Sequence, residues 1–364
     1  MTLSRPSLLA ALKAASGIIP TRTPRPVLRE ALLFERGGDI RLWASDTHRG
    51  VDVLVTGDAR PGEALMLPVA EAAQWLASVS EDKVDAVEYE PTRIELRAGA
   101  SKRRATTSPV QDGREALGGP TNAMEEVAKV KADLLATAFA QVKWAIAADI
   151  QTRHALDFVE LSARGGEVRA RATDGKKMAE ARFPAPGGSE FSLLLDPKAL
   201  VAVLGAVEGD VTIRAHNSAV RFDAGGASAW TLGANLPFPP CDQFLQVPEG
   251  AVQMDLDAGA FRAAVQRAAL AMEGDKVTRG IDLSLDMGSL VIKYNADGRS
   301  AEDLLAVKTA APKAEACIDG GFLLEALGGL SGPMSFWFGK NGGPNYVRCE
   351  ARAGWTGLVM GMAT

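Results

Sequence analysis

Three aspartates stand at matching places in the chain, in Ser45-Asp46-Thr47, Thr173-Asp174-Gly175 and Ala296-Asp297-Gly298. Three carboxylates brought together could hold a divalent cation for metal-assisted hydrolysis. Their intervals of 128 and 123 residues argue against it. Each Asp ends a strand in its own repeat, so the fold holds the three apart and a turn-capping role fits better. His48, His154 and His216 have no triad-like neighbours and read as surface or loop residues. Cys241, Cys317 and Cys349 are odd in number and scattered, which indicates neither a disulfide framework nor a thiolate metal site. Gly339-Lys340-Asn341-Gly342-Gly343 lacks the spacing of a phosphate-binding loop and reads as a hairpin turn between Phe336-Trp337-Phe338 and Tyr346-Val347. The G-x-S-x-G and H-E-x-x-H patterns are absent. The residues therefore offer no catalytic constellation, and no metal or cofactor is expected.

The elements that carry these residues belong to an ordinary globular composition. Of 364 residues, 47% are hydrophobic and 23% charged. Forty Lys and Arg against 45 Asp and Glu leave a net charge of −5, which excludes a protein that is basic all over. Nucleic-acid binding stays open, because it depends on where positive charge is concentrated. The longest apolar run, Ala199 to Val207, is far shorter than the ~20 residues of a membrane span. The segment MTLSRPSLLAALKAAS lacks the features of a secretory signal. The expectation is a soluble, cytoplasmic protein.

Internal repetition is the strongest signal. Three amphipathic helix patterns recur, at Leu8, Leu9 and Leu12, at Leu134, Leu135, Phe139, Val142 and Ile146, and at Phe261, Val265, Ala268 and Met272. Leu9, Leu135 and Phe261 are spaced by 126 and 126 residues. Each helix precedes two alternating runs around a Gly turn: Val27–Phe34 with Ile40–Ala44, Phe158–Leu161 with Val168–Ala172, and Ile281–Leu285 with Leu290–Tyr294. A second helix follows each Asp, and its Leu76, Leu204 and Leu327 are again 128 and 123 apart. Asp196 before Pro197, and Asp319, are helix-start residues. Turn residues cluster in Ser108–Thr121 and Leu236–Gly250. The expected architecture is α+β, with three repeated domains over residues 1–122, 123–249 and 250–364, each with two helices packed on antiparallel sheets.

These residues resemble the bacterial replicative sliding clamp, the β subunit of DNA polymerase III. Ala172-Thr173-Asp174-Gly175-Lys176-Lys177-Met178-Ala179 resembles the family's A-T-D-G-H-R-L-A signature. Thr152-Arg153-His154-Ala155-Leu156 resembles its R-Y-x-L segment, and Phe238-Pro239 with Val247-Pro248 its F-P…V-x-P junction. Leu358-Val359-Met360-Gly361-Met362 resembles the terminal V-V-M-P-M strand, and Arg22 to Leu28 the R-x-x-L-P-I-L segment. Five motifs in order cover the whole chain.

The resemblance implies a DNA-clamp fold and a head-to-tail homodimer closed into a ring around duplex DNA. It implies a non-catalytic processivity subunit that tethers DNA polymerase III and other replication and repair proteins. A ring that slides touches phosphates weakly and without sequence preference. Lys13, Lys131, Lys143, Lys198, Arg262 and Arg267 on or beside helices, with Arg22, Arg25 and Arg153 on loops, are the residues expected to touch DNA. The implied partner-peptide pocket is carried onto Leu156, Thr173, Gly175, Lys176, Met178, Pro239, Val247, Leu358, Met360 and Met362. It would receive short segments of the polymerase, the clamp loader and other clamp-binding proteins. Truncating Leu358 to Thr364 is expected to abolish that binding and leave the fold intact.

The chain also departs from the pattern. Lys176-Lys177 replaces His-Arg, and Gly361 replaces a Pro. Ser101-Lys102-Arg103-Arg104-Ala105-Thr106 stands where the family has an apolar edge strand at the dimer interface, and charged edge strands discourage pairing. Arg104 and Thr106 are therefore candidate interface residues, with Leu270 expected on the opposing face. The alternative is a clamp-derived interaction scaffold that does not encircle DNA.

Overall fold

The computed structural model describes residues 1–117, 119–120, 124–147, 156–185, 190–234, 236, 238–272, 280–296, 298–340 and 342–362. His154, Arg153 and Asp297 lie outside these. Among the described residues there are seven α-helices and many short antiparallel strands. No helix is long and apolar enough to cross a membrane.

Helix starts are written locally. Helix α1 (Arg5–Ser16) opens with Pro in its first turn and buries Leu8, Ala11, Leu12 and Ala15, the i, i+3, i+4, i+7 face of a half-buried helix. Helices α2 (Val69–Ser78), α3 (Val110–Ala116) and α4 (Ala132–Val142) follow. Helix α5 (Pro197–Leu204) is capped by Asp196, whose carboxylate accepts from Ala199 N at 2.8 Å. Helix α6 (Ala258–Ala271) is capped in the same way by Asp257, and α7 (Gly320–Ala326) by Asp319. These carboxylates satisfy amides that the first helical turn leaves without intrahelical partners.

Contacts divide the chain into two compact units. The first comprises Met1–Ala136, Ala163–Gly166 and Ala185–Asn235. The strand Thr2–Ser4 sits between Gly57–Asp58 and Lys83–Glu90, and the sheet continues through Arg93–Ala98 to the edge strand Ser101–Thr106. A second sheet orders Ala227–Ala234, Arg49–Val55, Asp39–Ser45, Glu30–Arg36 and Ala64–Pro68. Helices α1 and α2 pack on each other, and α1 also packs on these strands.

The second unit comprises Thr137–Ser162, Glu167–Pro184 and Leu236–Thr364. One sheet runs from Val252–Asp257 through Pro333–Phe338, Pro344–Cys349 and Trp355–Met360 to Lys177–Pro184 and Glu167–Thr173. The other orders Arg299–Ala306, Ser289–Ala296, Gly280–Asp286 and Lys313–Asp319, with α6 lying across Arg299–Ala306. Phe261 of α6 meets Phe336 edge-on, with ring centroids 5.7 Å apart, and Phe336 meets Phe338 at 5.1 Å.

The aspartate turns have one geometry. Asp46 Oδ1 accepts from the amides of His48 and Arg49, and Asp174 Oδ1 from those of Lys176 and Lys177. Ser45 and Thr173 accept through their hydroxyls from the amides of Thr47 and Gly175. Thr47 and Gly175 both take left-handed φ, +78° and +87°. The carboxylates spend their acceptor capacity on backbone, as turn residues do.

Three expectations need correction. Val27 lies in a 3-10 turn, Pro26–Arg29, and the strand begins only at Glu30; the Pro at the head of that turn fixes φ and removes a ladder donor. The segment Ser108–Thr121 is not all turn, since α3 occupies its middle and Gly113 lies hard against Met66, with no room for a Cβ. Leu134 faces outward, and Leu135, Phe139 and Val142 make the buried face of α4. Replacing Phe336 by Ala removes the ring shared by Phe261 and Phe338. It should destabilise the second unit by about 3–5 kcal/mol, measured by urea unfolding.

Candidate functional site

The site grows from one hairpin. Glu167–Thr173 and Lys177–Pro184 pair antiparallel with Thr173 opposite Met178. Thr173 Oγ1 donates to the carbonyl of Lys177 at 2.8 Å, and the Asp174 carboxylate closes the turn. The other edge of Lys177–Pro184 pairs with Trp355–Met360, placing Met178 beside Leu358. Leu358 in turn lies opposite Tyr346 on the next strand. Three apolar side chains from three strands thus form a row, and Met360 N donates to the carbonyl of Lys176 at 2.8 Å.

The row is walled by the segment from Phe238 to Pro248. Cys241 and Leu245 pack with Met178, Tyr346 and Leu358, and Phe238, Val247, Trp337 and Met360 pack around them. Tyr346 donates its hydroxyl proton to the carbonyl of Gln246 at 3.1 Å. A 3-10 turn at Asp242–Phe244 leaves Phe244 half out in solvent. Between hairpin, terminal strand and wall lies a cavity of 170 Å³. Its lining is Thr173, Gly175, Lys176, Lys177, Met178, Pro239, Pro240, Cys241, Phe244, Leu358 and Met360.

Seven of the ten residues assigned to the pocket from sequence line this cavity. Val247 packs behind the wall without reaching it. Leu156 is half-buried and accepts from Ala147 N through its carbonyl. Met362 donates its amide to the carbonyl of Cys317. Sequence reasoning missed Lys177, Pro240, Cys241 and Phe244. Pro240 and Cys241 directly follow the Phe238-Pro239 motif, so adjacency was an available signal; Phe244 returns to the cavity only because the 3-10 turn carries it back. The truncation expectation also needs correction. Leu358 and Val359 are buried inside a strand paired on both sides, so removing Leu358 to Thr364 cuts into the sheet.

Charge around the cavity is unevenly compensated. Arg171 pairs with Glu160 and Asp242 and lies 5.5 Å from the Phe238 ring centre. Burial opposes its charge, but the hydrogen bond and charge of Glu160 outweigh that and raise its pKa. Lys177 is buried; its ammonium meets Glu325, stands 4.0 Å from Asp174 Oδ2 and lies 4.8 Å from the Phe322 ring centre. Lys176 is exposed and has no side-chain partner among the described residues. Burial pushes the Cys241 thiol up to about 11, against a lowering by Arg171.

The other candidates are scattered over the two units. Lys13, Lys131, Lys143, Lys198, Arg22, Arg25 and Arg262 are exposed. Arg267 is engaged with Asp303 at 2.6 Å. Arg104 pairs with Glu95 at 2.6 Å and lies over Tyr89, while Thr106 ends the exposed edge strand. Leu270 on α6 is 65% exposed.

The chain aligns with the beta sliding clamp of Pseudomonas aeruginosa at 26% identity over 338 residues, 90% of this chain and 89% of the relative. It aligns with that of Caulobacter vibrioides at 24% over 368 residues, 95% of each. The chain is thus similar to bacterial beta sliding clamps over nearly its whole length. No protein-family model matches it. Its fold matches the crystal structure of the DNA polymerase III β subunit from P. aeruginosa with a TM-score of 0.88 and 23% identity, covering 100% of both chains. A griselimycin-bound P. aeruginosa sliding clamp matches at 0.88 and 22%, covering 100% of this chain and 99% of that one. The Thermotoga maritima β subunit matches at 0.85 and 18%, with the same coverage. The α+β architecture read from the repeats is thus a clamp fold.

The thiol in the pocket wall allows a test. A protonated thiol is a poor nucleophile, so iodoacetamide at pH 8 should leave native Cys241 unmodified and label it after unfolding, read by peptide mass mapping. The folded state holds this proton more tightly than the ordinary thiol value of 9.0. Its contribution to stability is therefore full below pH 9 and falls as pH rises towards 11. A Cys241→Ser variant should lose less stability across that window than the parent.

Proposed function

We propose that the protein is a DNA polymerase III sliding clamp: a non-catalytic ring that encircles duplex DNA and tethers the polymerase and other clamp-binding proteins in the cytoplasm. The supporting observation is similarity to beta sliding clamps along nearly the whole length of both partners. The alternative of a scaffold that has lost encirclement is not favoured by any region missing from the alignment. We read the chain as three clamp domains, over residues 1–122, 123–249 and 250–364, two such chains making the ring.

Ring closure calls for two complementary edges. Ser101–Thr106 bonds to a neighbour on one side only and carries Lys102, Arg103 and Arg104. Arg299–Ala306 is also an edge strand, with Glu302 and Asp303 at its centre and the exposed Leu304 beside them. A charged edge discourages pairing with its own kind. Against an edge of opposite sign it selects a head-to-tail partner and opposes like-with-like association. The charge on Ser101–Thr106 is therefore compatible with a dimer, with Arg104 and Thr106 on one side and Leu270 on the other.

Within the ring, Lys13, Lys131, Lys143, Lys198 and Arg262 supply cations without side-chain partners among the described residues, and Arg22 and Arg25 add loop charge. The hold on phosphates is weak and salt-dependent. Processivity rests on topology: the polymerase escapes only when a ring opens. Peptide segments of the partners occupy the cavity lined by Met178, Leu358 and Met360.

Two measurements test this reading. Loaded by a clamp loader with ATP, the protein should stay with nicked circular DNA through gel filtration and be lost once that DNA is cut to linear form. Retention after linearisation would sink encirclement. Light scattering should give twice 38.3 kDa for the parent. The double variant Lys102→Glu, Arg103→Glu should shift towards the single-chain mass, and a dimer unaffected by it would place the interface elsewhere.

A further inference from the structure

We infer that Trp230 is an internal plug: its indole fills the first unit's counterpart of the cavity described above and leaves each chain with one open site of that construction. The plug rests on geometry within the first unit alone, and its consequence for peptides rests on the pocket reading above.

The two places are built alike. Asp46 and Asp174 close the same turn, and each is followed by a cation that returns to it, Arg49 at 2.9 Å and Lys177 at 4.0 Å. The strand leaving each turn pairs with a strand from later in the chain, Arg49–Val55 with Ala227–Ala234 and Lys177–Pro184 with Trp355–Met360. The join ends in the same bond. Leu232 N donates to the carbonyl of His48 at 2.8 Å, as Met360 N does to that of Lys176. In this shared register Gly50 stands where Met178 stands, and Trp230 opposite it stands where Leu358 stands.

What differs is size. In the second unit Met178 and Leu358 are two medium side chains that line a cavity of 170 Å³. In the first unit one partner has no side chain and the other is an indole. A Cβ on Gly50 would lie 2.5 Å from Trp230 Nε1 and 2.7 Å from Cε2, and one on Gly119 would lie 2.8 Å from Nε1. Gly119 belongs to Ser108–Thr121, the turn-rich segment that matches Leu236–Gly250 in the repeats. The indole is buried, with two glycine backbones drawn onto its edge. A place already filled at this closeness has no room for a ligand. Deleting the ring would leave an apolar cavity of the kind that takes up a small flat molecule.

A double-mutant cycle and two binding measurements test the plug. Gly50→Met should lower the thermal unfolding midpoint by several degrees through overpacking against the ring. Adding Trp230→Leu, which rewrites the pair as the Met and Leu of the second unit, should recover most of that loss. An unshifted midpoint for Gly50→Met, or additive losses in the double variant, would overturn the plug. Trp230→Ala should gain a site for indole, so that millimolar indole raises its midpoint relative to that of the parent. An equal response of the two proteins would also overturn the plug; if Trp230→Ala does not fold, the cycle decides alone. A fluorescein-labelled clamp-binding segment should saturate the parent at one peptide per chain, and two per chain would overturn the single open site. No peptide binding at all would sink the pocket reading while the cycle still reports on the plug.

Discussion

The strand Lys177–Pro184 is hydrogen-bonded along both edges, and the arrangement of the site depends on that constraint. A strand paired on both sides has no freedom of register, because a slip of one residue turns every side chain to the opposite face. Met178 is therefore held against Leu358. Its neighbour Lys177 is forced inward, where a lone ammonium would be costly. Glu325, Asp174 and the Phe322 ring answer that cost. The hairpin is thus tied to α7 by charge and to the terminal strand by backbone bonds.

The same logic explains why the pocket combines a fixed frame with adaptable walls. Its backbone is set by sheet register, by the Asp174 turn and by the hydroxyl of Tyr346 on Gln246. Its surface is made of Met178, Met360, Leu358 and Cys241, side chains that are soft or flexible. For the proposed peptide pocket, a rigid frame limits the entropy lost on binding, while deformable walls accept more than one sequence. Buried ion pairs sit behind the wall, as with Arg171 and Glu160, where they orient the segment around Phe238 and present no charge to a ligand.

Charge on the rest of the molecule follows a different rule. Several exposed arginines are already paired, Arg104 on the edge strand with Glu95 and Arg267 on α6 with Asp303 among them. Such surface pairs contribute little to stability. Their consequence is that these cations are not available to phosphate, which suits the proposed sliding along DNA. It also leaves the two opposite-signed edge strands among the strongly charged features of the surface.

The sequence by itself determined what is local or periodic. The spacing of 126 between Leu9, Leu135 and Phe261 marks the repeats, and the caps Asp196 and Asp319 start their helices as read. The turns at Asp46 and Asp174 are legible because a carboxylate bonds the amides two and three residues on. Most of the cavity lining was legible through family motifs that lie far apart in the chain. What stayed hidden depends on partners distant in sequence. Phe244 returns to the cavity through a 3-10 turn that no periodicity announces, and α3 lies within a segment rich in Gly and Pro. Lys176 and Lys177 are identical as letters. Only the tertiary structure decides that Lys177 is spent on Glu325 while Lys176 has no side-chain partner among the described residues, because a lysine's role is set by which carboxylate the fold brings within reach.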